Sequence, residues 1–276
     1  MLKGINAWTA PDTDSFEKIF TDFAAAGYEC VELNYESSKV SEHSLTPQTT
    51  DEECQQIRAL ADKAGIRITS ICAALLGSTL GAEERSENER GMDLLRRQLR
   101  MAKILGCRSI LIYLGGFSEK RSLAASYERA MEVMREMKPE IEAQDVLVGI
   151  ENANQFFMSP FDYARFLDEL DCDKVGAYLD FANVQIFQYP FSDHWLEVLG
   201  KRVINVHIKD YLPKGLGIGV FVPLLAGEVP YTRIMPMLRE IGYDGPFVVE
   251  LPHMMPTAPQ HCYVTARMAL EEMEKF

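Results

Sequence analysis

The sequence predicts an α/β fold, a single (β/α)8 barrel domain spanning residues 1–276, and three observations predict it. Short apolar runs alternate with longer amphipathic segments along the whole chain, which is the pattern of successive βα units on a parallel sheet. Eight apolar runs and eight helical segments can be counted, the barrel number. Three helical segments close on glycine and pass straight into an apolar run, at Ala26-Gly27, Ala64-Gly65 and Leu105-Gly106. That is the chemistry of short αβ connections at the bottom of such a barrel. The 276 residues suit one barrel, because α/β barrels of roughly 250 residues are single domains.

The first run covers residues 2–8 and ends on Trp8. Pro11-Asp12-Thr13-Asp14 then signals a helix start. The helix carries Phe16, Ile19, Phe20, Phe23 and Ala24 on one face and stops at Gly27. The second run is Cys30-Val31-Glu32-Leu33-Asn34, followed by a polar stretch to Thr50 and a helix ending at Gly65. The third run covers 66–73. A charged segment from Glu83 to Arg90 leads into a long helix that closes at Gly106. The fourth run, 109–114, precedes Gly115-Gly116. The fifth (146–150) ends on Glu151, the sixth (175–179) on Asp180, the seventh (203–206) on His207 and the eighth (247–249) on Glu250. A helix over 259–274 completes the count. A doubly wound open sheet would usually carry a glycine-rich phosphate loop after an early strand, and the sequence has neither GxGxxG nor a P-loop.

The composition, 47% apolar and 25% charged, is that of a soluble globular protein. A net charge of −13 repels phosphate backbones and anionic lipid, so neither nucleic acid nor a membrane is an expected partner. No apolar stretch has the length of a membrane span, and the first residues lack the apolar core of a signal peptide. Six cysteines, none in a CxxC pair and several inside apolar runs, read as reduced buried thiols. A cytoplasmic location is the expectation.

In a barrel, reactive groups sit at the carboxyl ends of the strands. Here the last four runs each end on a metal-ligand type: Glu151, Asp180, His207 and Glu250, spaced by 29, 27 and 43 residues. Each alone has an ordinary explanation, as a helix cap, a surface charge or a satisfied core imidazole. Four at one level of a barrel point to a site. Three carboxylates and one imidazole suit Mn2+, Mg2+, Co2+ or Zn2+. Such a site fits isomerisation or epimerisation next to a carbonyl, where carbon loses a proton and the charge of the enediolate must be stabilised. On this reading Glu151 and Glu250 are both ligand and acid/base, and Asp180 and His207 are ligands only.

At these residues the chain resembles the xylose isomerase-like TIM barrel superfamily of sugar and sugar-phosphate isomerases and epimerases. The resemblance lies in the Glu of GIEN, the Asp of LDFAN, the His of VHIKD and the closing GYDGPFVVEL. It extends to AAAGYECVEL in the second unit and to Gly227-Glu228-Val229-Pro230-Tyr231, similar to the family's G-E-G-x-V-D-F segment. It implies that Glu151, Asp180, His207 and Glu250 bind a metal and that the two glutamates act as acid and base, as in ketose 3-epimerases. The chain departs from the pattern twice. Asn183 stands where ketose 3-epimerases often place a substrate-binding His, and Leu225-Ala226 replace the first Gly and Glu of G-E-G. The resemblance therefore leaves the substrate open.

Lys209 projects on the same side as His207, as a contact for a sugar hydroxyl or phosphate or as a salt-bridge partner. Glu32 and Asn34 alternate together toward the interior, to line the pocket or orient a ligand. His253 on the rim and Trp8 are further substrate contacts. Phe156, Phe157, Phe187, Tyr189, Phe191, Trp195, Tyr211 and Phe221 either stack on a sugar or pack the loops. Gly215, Gly217 and Gly219 mark residues 212–222 as a mobile loop or lid. The expected partner is a small carbohydrate, with homodimer or homotetramer assembly open. An inosose-type dehydratase of the same superfamily is the alternative enzyme. Apurinic-site endonuclease activity has less support, because the second and third runs offer no histidine. A non-catalytic sugar-binding barrel stands against the complete ligand set.

Overall fold

A computed structural model of the chain describes residues 1–73, 76, 79–115, 122–153, 156–187, 191–215, 218–251 and 259–276. Within these residues eight parallel strands close on themselves. They are β1 (Lys3–Asn6), β2 (Cys30–Tyr35), β4 (Arg67–Cys72), β5 (Ser109–Ile112), β6 (Leu147–Glu151), β7 (Val175–Asp180), β8 (Val203–Ile208) and β11 (Phe247–Val249). Hydrogen bonding runs β1-β11-β8-β7-β6-β5-β4-β2, and β1 pairs with β2 to shut the ring. A two-residue strand, β3 (Ser44–Leu45), flanks β2, and β9 (Asp210–Gly215) pairs antiparallel with β10 (Ile218–Val222).

The helices form the outer layer: α1 (Phe16–Ala25), α2 (Asp51–Ala64), α3 (Arg85–Leu105), α4 (Leu123–Glu142), α5 (Pro160–Leu170), α6 (Phe181–Phe187), α7 (Ser192–Leu199), α8 (Tyr231–Glu240) and α9 (Pro259–Met273). Each strand of the ring is followed by helix, and the unit after β7 carries two. The starts and stops have local causes. Thr50 and Glu53 form a reciprocal capping box at the start of α2. Gly65 and Gly106 end α2 and α3 in the left-handed region, at φ 73° and 79°, which releases the chain directly into the next strand.

The core lies between ring and helices. Val31, Ile71, Ile110, Val148, Leu179, Val206 and Val249 on the strands pack with helical residues such as Phe20, Leu99, Met134, Phe166 and Leu238, all essentially inaccessible to water. All six cysteines are buried and free, as expected.

One local expectation changes. Strand β1 stops at Asn6, and Trp8 lies in a 3-10 turn, Ala7–Thr9. The Asn6 side chain accepts the Trp8 N–H at 2.8 Å and so bends the backbone out of the strand. Asp210–Gly215 and Ile218–Val222 pair antiparallel, with Phe221 opposite Tyr211, in the segment where the glycines suggest a mobile loop or lid; Gly217 lies outside the described residues. Among the described residues no helix is long and apolar enough to cross a membrane.

A buried carboxylate and histidine cluster at the barrel mouth

The four predicted residues meet at the carboxyl ends of neighbouring strands. Pairing of β7 with β8 puts Asp180 beside His207. Glu250, one residue beyond β11, donates its N–H to the Ile208 carbonyl at 3.2 Å. Glu151 closes β6. One donor atom from each of Glu151, Asp180, His207 and Glu250 lies within 4.8 Å of the others, and all four residues are buried. The positions come from strand register, so the barrel itself fixes them.

The imidazole of His207 serves two sides. Its Nδ1 lies 2.9 Å from both Glu151 Oε1 and Glu250 Oε2. Its Nε2 turns inward to Glu32 Oε1 at 2.6 Å. Glu32 is then saturated from three strands. Asn6 Nδ2 donates to Oε1 at 2.7 Å, while Ser70 and Tyr178 donate to Oε2 at 2.7 and 2.5 Å. Glu32 thus lies one step behind the donor set and orients its histidine. Asn34 lies further back, exchanging hydrogen bonds with Asn6 at 3.1 and 3.2 Å.

Asp180 divides its oxygens. Oδ1 accepts the N–H groups of Ala182 and Asn183 at 2.9 and 3.0 Å and so starts α6. Oδ2 is buried and pairs with the Lys209 ammonium at 2.9 Å. Lys209 also lies 2.8 Å from Glu250 Oε2, so of the two roles expected for it the salt bridge is the one observed. Asn152 latches the ends of β6 and β7 by accepting the Asp180 N–H at 2.8 Å and donating to its carbonyl at 3.0 Å.

The charges are strongly coupled. Burial pushes the His207 imidazolium down, but the surrounding Glu32, Glu250 and Glu151 outweigh it and hold its pKa well above the usual range. Burial opposes the Lys209 charge in the same way, and Asp180 and Glu250 raise it. Glu151 is pushed up by burial despite His207 and Lys209. In Glu250 burial is overcome by Lys209 and His207, and its pKa is lowered.

The donor set fits a divalent cation: three carboxylates and one imidazole nitrogen, all buried and with ligand atoms within 4.8 Å of one another. Trp8 is half-buried at the edge, its indole N–H on Glu36 at 2.6 Å, and with Tyr113 it packs on Cys72, Leu111 and Tyr178 inside the ring. Asn183 joins the site through its backbone N–H. His253 lies outside the described residues, as do Tyr189 and the side chain of Phe187. Phe156, Phe157 and Trp195 are buried among themselves and Tyr163, which is loop packing, while Phe191 is exposed. Tyr178, Ser70, Asn6, Asn152 and Tyr113 were not singled out in the sequence. Period-two alternation from Glu32 along β2 reaches Asn34, but nothing local joins Glu32 to Tyr178.

Comparison with known proteins agrees with this fold. The xylose isomerase-like TIM barrel family model matches residues 20–271. L-ribulose-5-phosphate 3-epimerase UlaE of Salmonella heidelberg (strain SL476) is 23% identical over 257 residues, which cover 90% of this chain and 86% of that protein. Among solved structures, D-psicose 3-epimerase of Clostridium cellulolyticum H10 superimposes with a TM-score of 0.78 at 17% identity, covering 100% of this chain and 99% of its own. An L-ribulose 3-epimerase gives 0.80 at 16%, covering 100% and 95%. The relatives by sequence are named epimerases, a kind of isomerase.

Proposed function

The chain belongs to the xylose isomerase-like TIM barrel family, and from that premise we propose that it is a metal-dependent epimerase or isomerase of a ketose or ketose phosphate. The observation that carries the reading is the convergence of Glu151 and Glu250 on one histidine nitrogen, from strands on either side of β7 and β8. Glu151, Asp180, His207 and Glu250 would hold a divalent cation, Mn2+, Mg2+, Co2+ or Zn2+. Such a cation, when bound, supplies positive charge where negative charge develops on the substrate oxygens.

The chain's own groups do the rest. One of the two glutamates takes the proton from the carbon next to the carbonyl, and the other returns it from the opposite face. Glu32 fixes the ring orientation of His207 through Nε2 and so leaves Nδ1 to the donor set. Trp8 and Tyr113 border the mouth and offer apolar faces to a sugar ring. The phosphate in the name of the Salmonella relative extends the candidate substrates to ketose phosphates. We place the protein in the cytoplasm as one barrel domain acting on a small carbohydrate.

Product analysis tests the reading. A panel of ketoses and their phosphates, incubated with Mn2+-loaded protein and followed by NMR, should yield an epimer or isomer pair approached from either side, with no water lost. Loss of water would assign a dehydratase instead. Glu250→Gln and Glu151→Gln should each lower turnover by about 10²–10⁴-fold while leaving the fold intact by circular dichroism.

A further inference from the structure

Two of the oxygens that would ligate a metal already share a cation. Asp180 Oδ2 and Glu250 Oε2 lie 2.9 and 2.8 Å from the Lys209 ammonium. Buried carboxylates this close to one another repel and need a counter-charge to remain ionised. We propose that Lys209 is an internal competitor of the metal: its ammonium holds the Asp180 and Glu250 carboxylates together in the metal-free protein and gives them up when a divalent cation is loaded. This rests on the metal reading above.

The geometry lets the side chain leave without disturbing the fold. The backbone of Lys209 is pinned, its carbonyl accepting the Tyr231 hydroxyl. The next residue, Asp210, accepts the N–H groups of Tyr211, Gly227 and Val229 at 2.9, 2.9 and 3.2 Å. Asp210 thereby ties the base of the hairpin to the segment before α8. Only the four-carbon stem of Lys209 has to move. The Phe221 ring on β10, its centroid 5.8 Å from Nζ, offers a displaced ammonium an aromatic face. Leaving the ammonium where it is would set it against a doubly charged ion on the same oxygens, and that repulsion is strong away from bulk water.

The competing description is that Lys209 is a structural donor that presents the carboxylates to the metal. The two differ in sign. Protein stripped with a chelator is titrated with Mn2+ by calorimetry, as wild type, Lys209→Met and Lys209→Arg, and each is melted with and without the ion. Competition predicts that Lys209→Met binds Mn2+ on the order of tenfold tighter. It also predicts that Lys209→Met melts lower than wild type only in the metal-free form, and that Lys209→Arg binds no tighter than wild type. Equal or weaker binding by Lys209→Met overturns the proposal. Should Lys209→Met fold only when loaded, the rate of Mn2+ transfer to excess chelator is read instead. Slower release than wild type supports competition, and equal or faster release overturns it. Failure of the metal reading is separately visible, because then neither wild type nor Lys209→Met takes up Mn2+.

Discussion

At the scale of single residues, Tyr178 carries more of the site than its position suggests. Its hydroxyl crosses the barrel interior to Glu32, which in turn holds His207. Tyr178→Phe removes one donor from a buried carboxylate and should cost about 1–3 kcal/mol of stability. It should also weaken metal binding by roughly 10–100-fold through the loosened imidazole. Thermal melting and a Mn2+ titration check both. A variant with unchanged metal affinity would show that Glu32 does not orient His207. The four clustered residues themselves were legible, because each ends an apolar run at a strand's carboxyl end, and Lys209 was legible as pointing with His207. Tyr178 was not, because its partner is 146 residues away and only closure of the ring brings them together. Asn152 stands beside Glu151 in sequence, yet its partner is the backbone of the next strand.

At the scale of elements, the segment after β8 was the least readable. Its glycines suggest a mobile loop or lid, and within it Asp210, Tyr211 and Leu212 face Val222, Phe221 and Val220 in antiparallel register; those β-forming residues were the available signal for the strands. Gly219 serves this pairing, since a Cβ there would lie 2.3 Å from the Tyr211 ring and hydroxyl. The departure at Leu225 also gains a meaning. Leu225 sits at φ 68°, in the left-handed region, at the position where the family pattern has glycine. A side chain there costs roughly 1–2 kcal/mol, and glycine gives part of that back as chain entropy on folding. Leu225→Gly should therefore raise stability by about 0.5–1 kcal/mol in denaturant melts; a loss of stability would mean that the Leu225 side chain contributes more than its strain costs. The helix ends at Gly27, Gly65 and Gly106 were readable for the same reason, because all three take positive φ.

At the scale of the whole molecule, the barrel gathers many like charges at one point and must balance them. The cluster does so with Lys209, which lies within 2.9 Å of Asp180 Oδ2 and Glu250 Oε2. Glu32, Glu250 and Glu151 raise the His207 pKa against burial, and burial raises that of Glu151. A metal takes unprotonated donors, so loading releases protons. A group whose folded pKa is raised stabilises fully below its unfolded value and loses that contribution as pH climbs through the folded one. His207 and Glu151 both follow this direction, so the metal-free protein should lose melting temperature from about pH 6 toward alkaline pH. The Mn2+-loaded protein, whose binding strengthens with pH, should not. Melting curves with and without Mn2+ across that range should therefore separate as pH rises; curves that converge would contradict the upward shifts of His207 and Glu151.

The fold was readable at this scale because the alternation repeats eight times and three of the helices stop on glycine, whereas the reacting sugar has no such repetition to announce it. The chemistry is best tested by solvent-deuterium wash-in, over ketoses and their phosphates, with the Mn2+-loaded protein in deuterated water. Proton transfer through Glu151 and Glu250 predicts deuterium at the carbon next to the carbonyl of at least one sugar, and its disappearance in Glu151→Gln and in Glu250→Gln. No exchange with any sugar while the metal is bound, or full exchange in Glu250→Gln, would contradict it.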